Sequence, residues 1–352
     1  MNNLDRLNDA DFHIIGASTA GAILAEKLTA YGKVVMIDKA IPGTYNNCGG
    51  GLPEKLFKEL NLDIPFVKIN KMIFSRGEQK SIVPCEYVVI NRSEFNKALF
   101  DKAIKSGATF IKGNLISYDK NSSEIECSIR DNCGSRNQTK TIKYKKLILA
   151  QGIVKTKSKL AIQKKDFHSI ANLEIIKEES PYKNQLYIDL SSGFNTGYSW
   201  IFPMPNNQTN IGCGCLDTGE FSTSLLKSFK KKHNIDGEVL SKGGGLIPAS
   251  PLLYVRDVNI FRFGDSAGMV NPLNGEGLKH IIKGADLWVN AIVHNRSLNY
   301  NIKHIARFAK HSIAKYILKL VIYLDNKLKF PLYSKLGYFS TLLISKTGWK
   351  FK

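Results

Sequence analysis

Gly16-Ala17-Ser18-Thr19-Ala20-Gly21 lies between a short apolar run, Phe12-His13-Ile14-Ile15, and an Ala- and Leu-rich stretch ending at Leu28. The order strand, glycine turn, helix aims backbone N–H groups at a pyrophosphate. Gly16 permits the tight turn and Gly21 lets helix and strand pack closely, while Ser18 stands where the fingerprint has a second glycine. Asp38 follows Gly16 by 22 residues, at the end of the apolar run Val34–Ile37, where an acid can accept from a ribose hydroxyl. The chemistry expected is dinucleotide binding; an ordinary α/β turn is the alternative.

Three further groups could do chemistry. Gly264-Asp265 ends the strand-like run from Asn259 to Phe263 with a carboxylate, and Gly275-Glu276-Gly277 then opens a helix. The first N–H groups of such a helix have no intrahelical acceptors and attract negative charge. Cys48-Gly49-Gly50-Gly51-Leu52 puts a thiol in a loop whose glycines let the backbone lie flat beside a ligand. The plainer reading makes Cys48 a small residue in a glycine loop. Finally, Tyr198, Trp200 and Phe202 alternate, so their rings share one face of a strand. Gly212 and Gly214 in the returning strand are expected to leave open space beside them. An aromatic wall beside a gap suits a long apolar substrate, although a hairpin with a packed aromatic face has the same periodicity.

Tyr198-Ser199-Trp200-Ile201-Phe202-Pro203 followed by Gly212-Cys213-Gly214 resembles the Y-x-W-x-F-P…G-x-G signature of the geranylgeranyl reductase family of flavoproteins. The run Gly264-Asp265-Ser266-Ala267-Gly268 with Pro272–Gly277 is similar to the G-D-A-A-G…P-x-x-G-E-G segment of flavoproteins related to p-hydroxybenzoate hydroxylase. Asn274 replaces the usual small hydroxyl residue there. Arg92-Ser93-Glu94-Phe95-Asn96 is similar to the family's D-R-x-x-F-D, with Asn91 and Asn96 at the aspartate positions. Cys48–Leu52 looks like the family's C-G-G-G-L loop beside the isoalloxazine ring, without the basic residue that often precedes the cysteine.

The resemblance covers most of residues 12–290. It implies FAD, held by Gly16, Ser18, Gly21, Asp38, Gly49, Gly50, Arg92, Gly264, Asp265, Gly275 and Gly277. It implies a prenylated lipid or isoprenoid substrate held by Tyr198, Trp200, Phe202, Gly212 and Gly214, with Cys48 the one side chain nominated near the chemistry. A solvated helix-start arginine is the alternative for Arg92. The implied reaction reduces carbon–carbon double bonds of a geranylgeranyl-type chain, by hydride from reduced flavin followed by protonation. NADPH or a ferredoxin-like carrier is the expected electron donor. Two rivals stand beside it. A flavin monooxygenase or halogenase of the same fold is disfavoured by Ala150-Gln151-Gly152, where such hydroxylases carry Asp-Gly. A non-catalytic, membrane-associated flavoprotein would account for Ser18, Asn91, Asn274 and the missing basic residue.

These residues need elements to hold them. Periodicity predicts a β-α-β unit at the start, a helix near Glu54–Leu60, and a helix from Ser93 to Ser106 with Ser93 as its N-cap. A parallel strand at Thr109–Ile111, a meander over 114–145 with a polar tip at Asp131–Thr139, and a buried strand at Leu147–Ala150 follow. The fold class expected is α/β: a Rossmann-like FAD-binding fold with an inserted antiparallel β substrate domain and a C-terminal helical tail. The expected boundaries are 10–154 and 254–295 for the two parts of the FAD-binding domain, 155–253 for the substrate domain and 296–352 for the tail.

The chain has 352 residues, 43% of them hydrophobic and 23% charged, the composition of a globular protein. Its six cysteines lack paired metal-ligand spacing, so no metal site and a reducing, cytoplasmic location are expected, and no secretory leader is evident at the start. The net charge is +20, and residues 301–352 hold eleven Lys or Arg against one acid, Asp325. With Ile317–Leu324 between those charges, the tail is expected to make peripheral contact with an anionic membrane surface, at the inner face of the cell membrane. A helix packed on the body is the alternative. No nucleic-acid recognition motif accompanies the charge.

Overall fold

The computed structural model describes residues 3–44, 47–130, 137–153, 168–190, 197–216, 223–248, 259–271 and 274–295. The tail expected over 296–352 and the tip of the meander at 131–136 lie outside the described residues. Two compact units emerge, the first from residues within 1–44, 95–166 and 248–312, the second from residues within 45–94 and 167–247.

In the first unit, a short helix α1 (Asn3–Asn8) leads into β1 (Phe12–Ile15), α2 (Thr19–Leu28) and β2 (Val34–Asp38), the β-α-β unit expected from sequence. The second unit takes up the chain with β3 (Gly51–Pro53), α3 (Glu54–Glu59), β4 (Phe66–Arg76) and β5 (Gln79–Ile90). Then come α4 (Arg92–Lys105), β6 (Thr109–Asp119), β7 (Glu124–Arg130), β8 (Asn137–Lys143) and β9 (Lys146–Leu149). The second unit continues with β10 (His168–Lys177), β11 (Gln185–Asp189), β12 (Gly197–Met204), β13 (Gln208–Leu216), α5 (Thr223–Lys232) and β14 (Glu238–Pro248). The first unit closes with β15 (Ile260–Arg262), a 3-10 turn at Gly264–Ala267 and α6 (Leu278–Val293).

The first unit's sheet runs β15-β9-β1-β2-β6-β7-β8. Its first five strands are mutually parallel, and β7 and β8 extend it as an antiparallel meander. β1, β2 and β9 are almost wholly apolar because both their faces are covered, whereas β6 alternates buried and exposed residues. On one face Ile15, Val35, Ile37, Ile111, Leu147 and Leu149 join the meander's Ile125, Cys127 and Ile142 in one core. Burial pushes the Cys127 thiol up to about 12, so it behaves as an apolar filler at neutral pH.

The second sheet runs β14-β10-β13-β12-β11-β4-β5-β3. It departs from expectation in two ways. Residues 45–94, expected inside the first FAD-binding part, belong to this unit and supply three of its strands. The sheet also contains a parallel pair, β4 with β11, in register Lys71↔Gln185 to Ser75↔Asp189, so it is mixed and not purely antiparallel. One face packs Ile69, Met72, Cys85, Tyr87, Val89, Leu186 and Trp200; the other packs Ile73, Tyr187, Ile201 and Ile211 under Leu226 and Phe229 of α5. Helix α4 starts one residue earlier than expected: Asn91 Oδ1 accepts from the Ser93 N–H at 2.9 Å, so the cap is Asn91.

A buried imidazole, His13, and a half-buried one, His233, bear on how this fold responds to acid. His13 Nε2 donates to the Leu7 carbonyl at 2.8 Å, which ties α1 to β1, and its Nδ1 is buried without an acceptor. His233 Nδ1 meets the Tyr182 hydroxyl at 3.2 Å, and its Nε2 is buried without a partner. Burial holds both below their ordinary 6.5, since a second proton would place an N–H where nothing accepts it. The unfolded chain then protonates first, so stability present above pH 6.5 is lost as pH falls below it. The melting temperature is therefore expected to drop between about pH 7.5 and about pH 5.5, and the drop to be smaller in His233→Phe. Equal slopes in a differential scanning calorimetry series would contradict this.

Candidate active site

The first unit brings its expected cofactor residues into two adjacent turns. Gly16 has φ +101°, and a Cβ there would lie 2.5 Å from the Ala150 carbonyl oxygen, so only glycine fits between β1 and the end of β9. A Cβ on Gly21 would lie 1.8 Å from the Gly16 carbonyl oxygen, which makes Gly21 equally obligatory. Ser18 is exposed at the N-cap of α2 and its side chain makes no capping bond, leaving that helix start open to an anion. Asp38 Oδ2 accepts from the Ala17 N–H at 2.8 Å, which fixes the carboxylate against the turn at the end of β2.

The turn after β15 packs directly on this one. Gly264 has φ +66°, and its missing Cβ would sit 2.7 Å from the Ala20 Cβ on α2. Ser266 donates to the Gly152 carbonyl at 2.9 Å, tying the turn to the end of β9. Asp265 Oδ1 would lie 3.6 Å from a Cβ on Gly277, so the carboxylate stands beside the start of α6, whose N-cap Gly277 offers no side-chain cap. Gly275 has φ +71°, and Asn274 Oδ1 accepts from the Glu276 N–H at 3.0 Å, closing a tight local turn. Two uncapped helix starts, two strand-end carboxylates and backbone that approaches where no Cβ can stand form a cradle that fits a flavin dinucleotide.

Sequence reasoning overlooked how the substituted fingerprint positions work. Asn96 is buried and accepts from Thr19 Oγ1 at 2.6 Å, so it steadies the first turn of α2, while Asn91 caps α4. An amide oxygen accepts as a carboxylate does, so both departures keep the geometry. Arg92 is half-buried at the first residue of α4.

In the second unit, Tyr198, Trp200 and Phe202 do share one face, with ring centroids 6.0 and 6.3 Å apart in sequence order. The expected gap beside them is not open at Gly212. A Cβ there would lie 2.2 Å from Trp200 Cζ2, so the indole itself fills the notch. Trp200 is consequently only 6% exposed, whereas Tyr198 and Phe202 are half-buried. At Gly214, opposite Tyr198, a Cβ would meet the Ile170 carbonyl oxygen at 3.5 Å and the Ala171 Cβ at 3.7 Å, so a methyl group fits but the expected open gap is not there either.

The glycine loop lies against these rings. A Cβ on Gly49 would sit 2.9 Å from Phe202 Cε2, and one on Gly50, at φ +79°, would sit 2.3 Å from the Ile90 carbonyl oxygen. The Ile90 N–H donates to the Gly50 carbonyl at 3.2 Å, and β3 pairs with β5 from Gly51 onward. Asn210, which the sequence reading passed over, joins loop and rings: Trp200 Nε1–H donates to its Oδ1 at 2.9 Å, and its Nδ2 donates to the Cys48 carbonyl at 3.0 Å. A polar residue on the ring face of β13, opposite Phe202, was the available signal. Cys48 is half-exposed, whereas Cys85, Cys127 and Cys213 are buried, and burial pushes the Cys85 thiol up to about 12. Among the described residues no cluster of His, Cys, Asp or Glu could hold a metal ion.

The fold, a parallel sheet with a glycine cradle at its strand ends and a separate mixed sheet, is shared with solved flavin-dependent proteins. Homologues named as prenyl reductases extend over about three quarters of the chain. It is 27% identical over 293 residues to digeranylgeranylglycerophospholipid reductase 1 of Methanosphaera stadtmanae, covering 76% of this chain and 71% of that one. It is 27% identical over 298 residues to geranylgeranyl diphosphate reductase of Rhodobacter capsulatus, covering 78% and 72%. Among solved structures, a geranylgeranyl bacteriochlorophyll reductase-like protein from Thermoplasma acidophilum superposes with a TM-score of 0.70 at 19% identity, over 96% of this chain and 87% of that one. A flavin-dependent brominase superposes with a TM-score of 0.64 at 14% identity, over 97% and 94%, so the fold by itself does not separate reductase from halogenase. No protein-family model matches the chain.

The two glycines of the returning strand are expected to respond differently to a methyl group. Gly212→Ala drives Cβ into Trp200 and the Asn172 carbonyl, and is expected to cost about 1–3 kcal/mol or more. Gly214→Ala meets only ordinary contacts and is expected to stay within about 0.5 kcal/mol of the parent. Urea unfolding followed by tryptophan fluorescence measures both; equal losses would contradict the notch.

Proposed function

We propose that this protein is an FAD-dependent reductase of carbon–carbon double bonds in the prenyl chain of a lipid or isoprenoid. The observation that carries the reading is the packing of the Cys48–Gly50 loop on the Tyr198-Trp200-Phe202 face, with the names of the homologues in support. FAD, when bound and reduced, supplies a hydride to one alkene carbon, and the other carbon takes a proton.

The chain's own residues divide the remaining work. Gly16, Ser18, Gly21 and Asp38 take the adenosine and pyrophosphate end, and Gly264, Asp265, Gly275 and Gly277 the flavin end, with the two uncapped helix starts favouring negative charge. Arg92, Gly49 and Gly50 would add to the hold on FAD, as the family resemblance implies. Tyr198 and Phe202, with Gly214 beside them, hold the prenyl chain, while Trp200 and Gly212 form a wedge behind that wall. Each buried methylene contributes about 0.8 kcal/mol, so an isoprene chain needs no polar anchor along its length. An isolated alkene is a poor hydride acceptor. The aromatic face keeps water away from the reacting carbons, so a proton is delivered only where a donor stands. Cys48 is the thiol nearest the proposed chemistry.

Electrons arrive from NADPH or a ferredoxin-like carrier. The protein works in the cytoplasm, against the inner face of an anionic membrane that its substrate shares. Among the described residues no helix is long and apolar enough to cross a membrane.

The test is anaerobic. The protein is reduced with dithionite, a geranylgeranyl lipid is added, and flavin absorbance and product mass are followed. Reoxidation with a gain of one dihydrogen per bond supports the reading. Flavin that stays reduced until air enters contradicts it in favour of an oxygen-dependent halogenase or monooxygenase, or of a non-catalytic flavoprotein.

A further inference from the structure

We propose that Asn210 is a positioning residue that sets the orientation of the Cys48 peptide, and with it the direction of the Cys48 thiol and the flatness of Gly49-Gly50. Its backbone is held on both sides, paired with Phe202 of β12 and Ile175 of β10, and its side chain is buried. From that fixed base it bridges the Trp200 indole, at 2.9 Å, to the Cys48 carbonyl, at 3.0 Å.

The chemistry of the two partners fixes the residue type. An indole N–H can only donate and a peptide carbonyl can only accept. The group between them must therefore accept on one side and donate on the other, which orients the amide without ambiguity. Aspartate accepts from the indole but turns a second oxygen toward the Cys48 carbonyl and repels the loop. Leucine has the size but serves neither partner. Trp200 is in turn immobilised, because its ring occupies the space a Gly212 Cβ would take. The orientation of the loop is thus transmitted from the Gly212 notch through Trp200 and Asn210 to Cys48.

The consequence for turnover rests on the prenyl-reductase reading; the consequence for the loop does not. Asn210→Asp and Asn210→Leu are made in the full chain, with circular dichroism and a cooperative urea transition as checks of folding. Alkylation of Cys48 by iodoacetamide is followed by peptide mass spectrometry with no substrate present, then turnover of a geranylgeranyl lipid is measured. Both variants are expected to alkylate Cys48 about tenfold faster, the loss of one hydrogen bond, with kcat falling more than KM rises. Parent-like alkylation and turnover in either folded variant would overturn the proposal. If the parent reduces no prenyl lipid yet the variants alkylate faster, positioning stands and the reductase reading fails. If the parent turns over and alkylation is unchanged in the variants, positioning alone fails. Should Asn210→Leu not fold, the isosteric Asn210→Asp decides by itself.

Discussion

The second unit depends on one side chain being in one place: the indole of Trp200 in the notch left by Gly212. A ring of that size can be buried in a sheet face only if the neighbouring strand has no side chain beneath it and the indole N–H finds an acceptor. Gly212 supplies the first condition and Asn210, two residues earlier on the same face, supplies the second. A one-residue slip of β12 against β13 would put Cys213 or Ile211 under the ring and turn Asn210 to the other face, so the interlock also fixes register. Once register is fixed, Phe202 meets Gly49 and Asn210 reaches Cys48, and the glycine loop has a single seat.

The first unit obeys the same kind of constraint by backbone means. Gly16 on Ala150, Gly21 on Gly16 and Gly264 on Ala20 are close approaches that exclude any Cβ. Through them the N-terminal turn and the turn after β15, almost 250 residues apart in sequence, become one surface with two helix starts on it. Polar substitutions at fingerprint positions do not disturb that surface. Asn91 and Asn96 accept the hydrogen bonds that carboxylates would accept, and Asn274 closes its own turn. These positions therefore give little support to a decayed, non-catalytic protein.

What could be read in the sequence follows from how local each signal is. The β-α-β unit was legible because strand, turn and helix are consecutive and each carries its own period. The aromatic face was legible from alternation alone. The parallel pairing of β4 with β11 was not, because residues 71 and 185 share no local pattern, and with it went the membership of 45–94 in the second unit. The start of α4 moved by one residue because Asn91 and Ser93 are both good caps and only geometry chooses. Gly212 shows the limit most clearly: a glycine announces that space exists, not what fills it, and here Trp200 fills it.

The measurement that tests this account most directly is a double-mutant cycle between Trp200 and Asn210. Urea unfolding of the parent, Trp200→Phe, Asn210→Leu and the double variant gives the coupling between indole and amide without reference to any substrate. The interlock predicts a coupling of about 1 kcal/mol or more, as for other residues in one hydrogen-bond network. Additive losses, with coupling near zero, would mean that Trp200 is merely buried beside Asn210 and that the glycine loop owes its seat to something else.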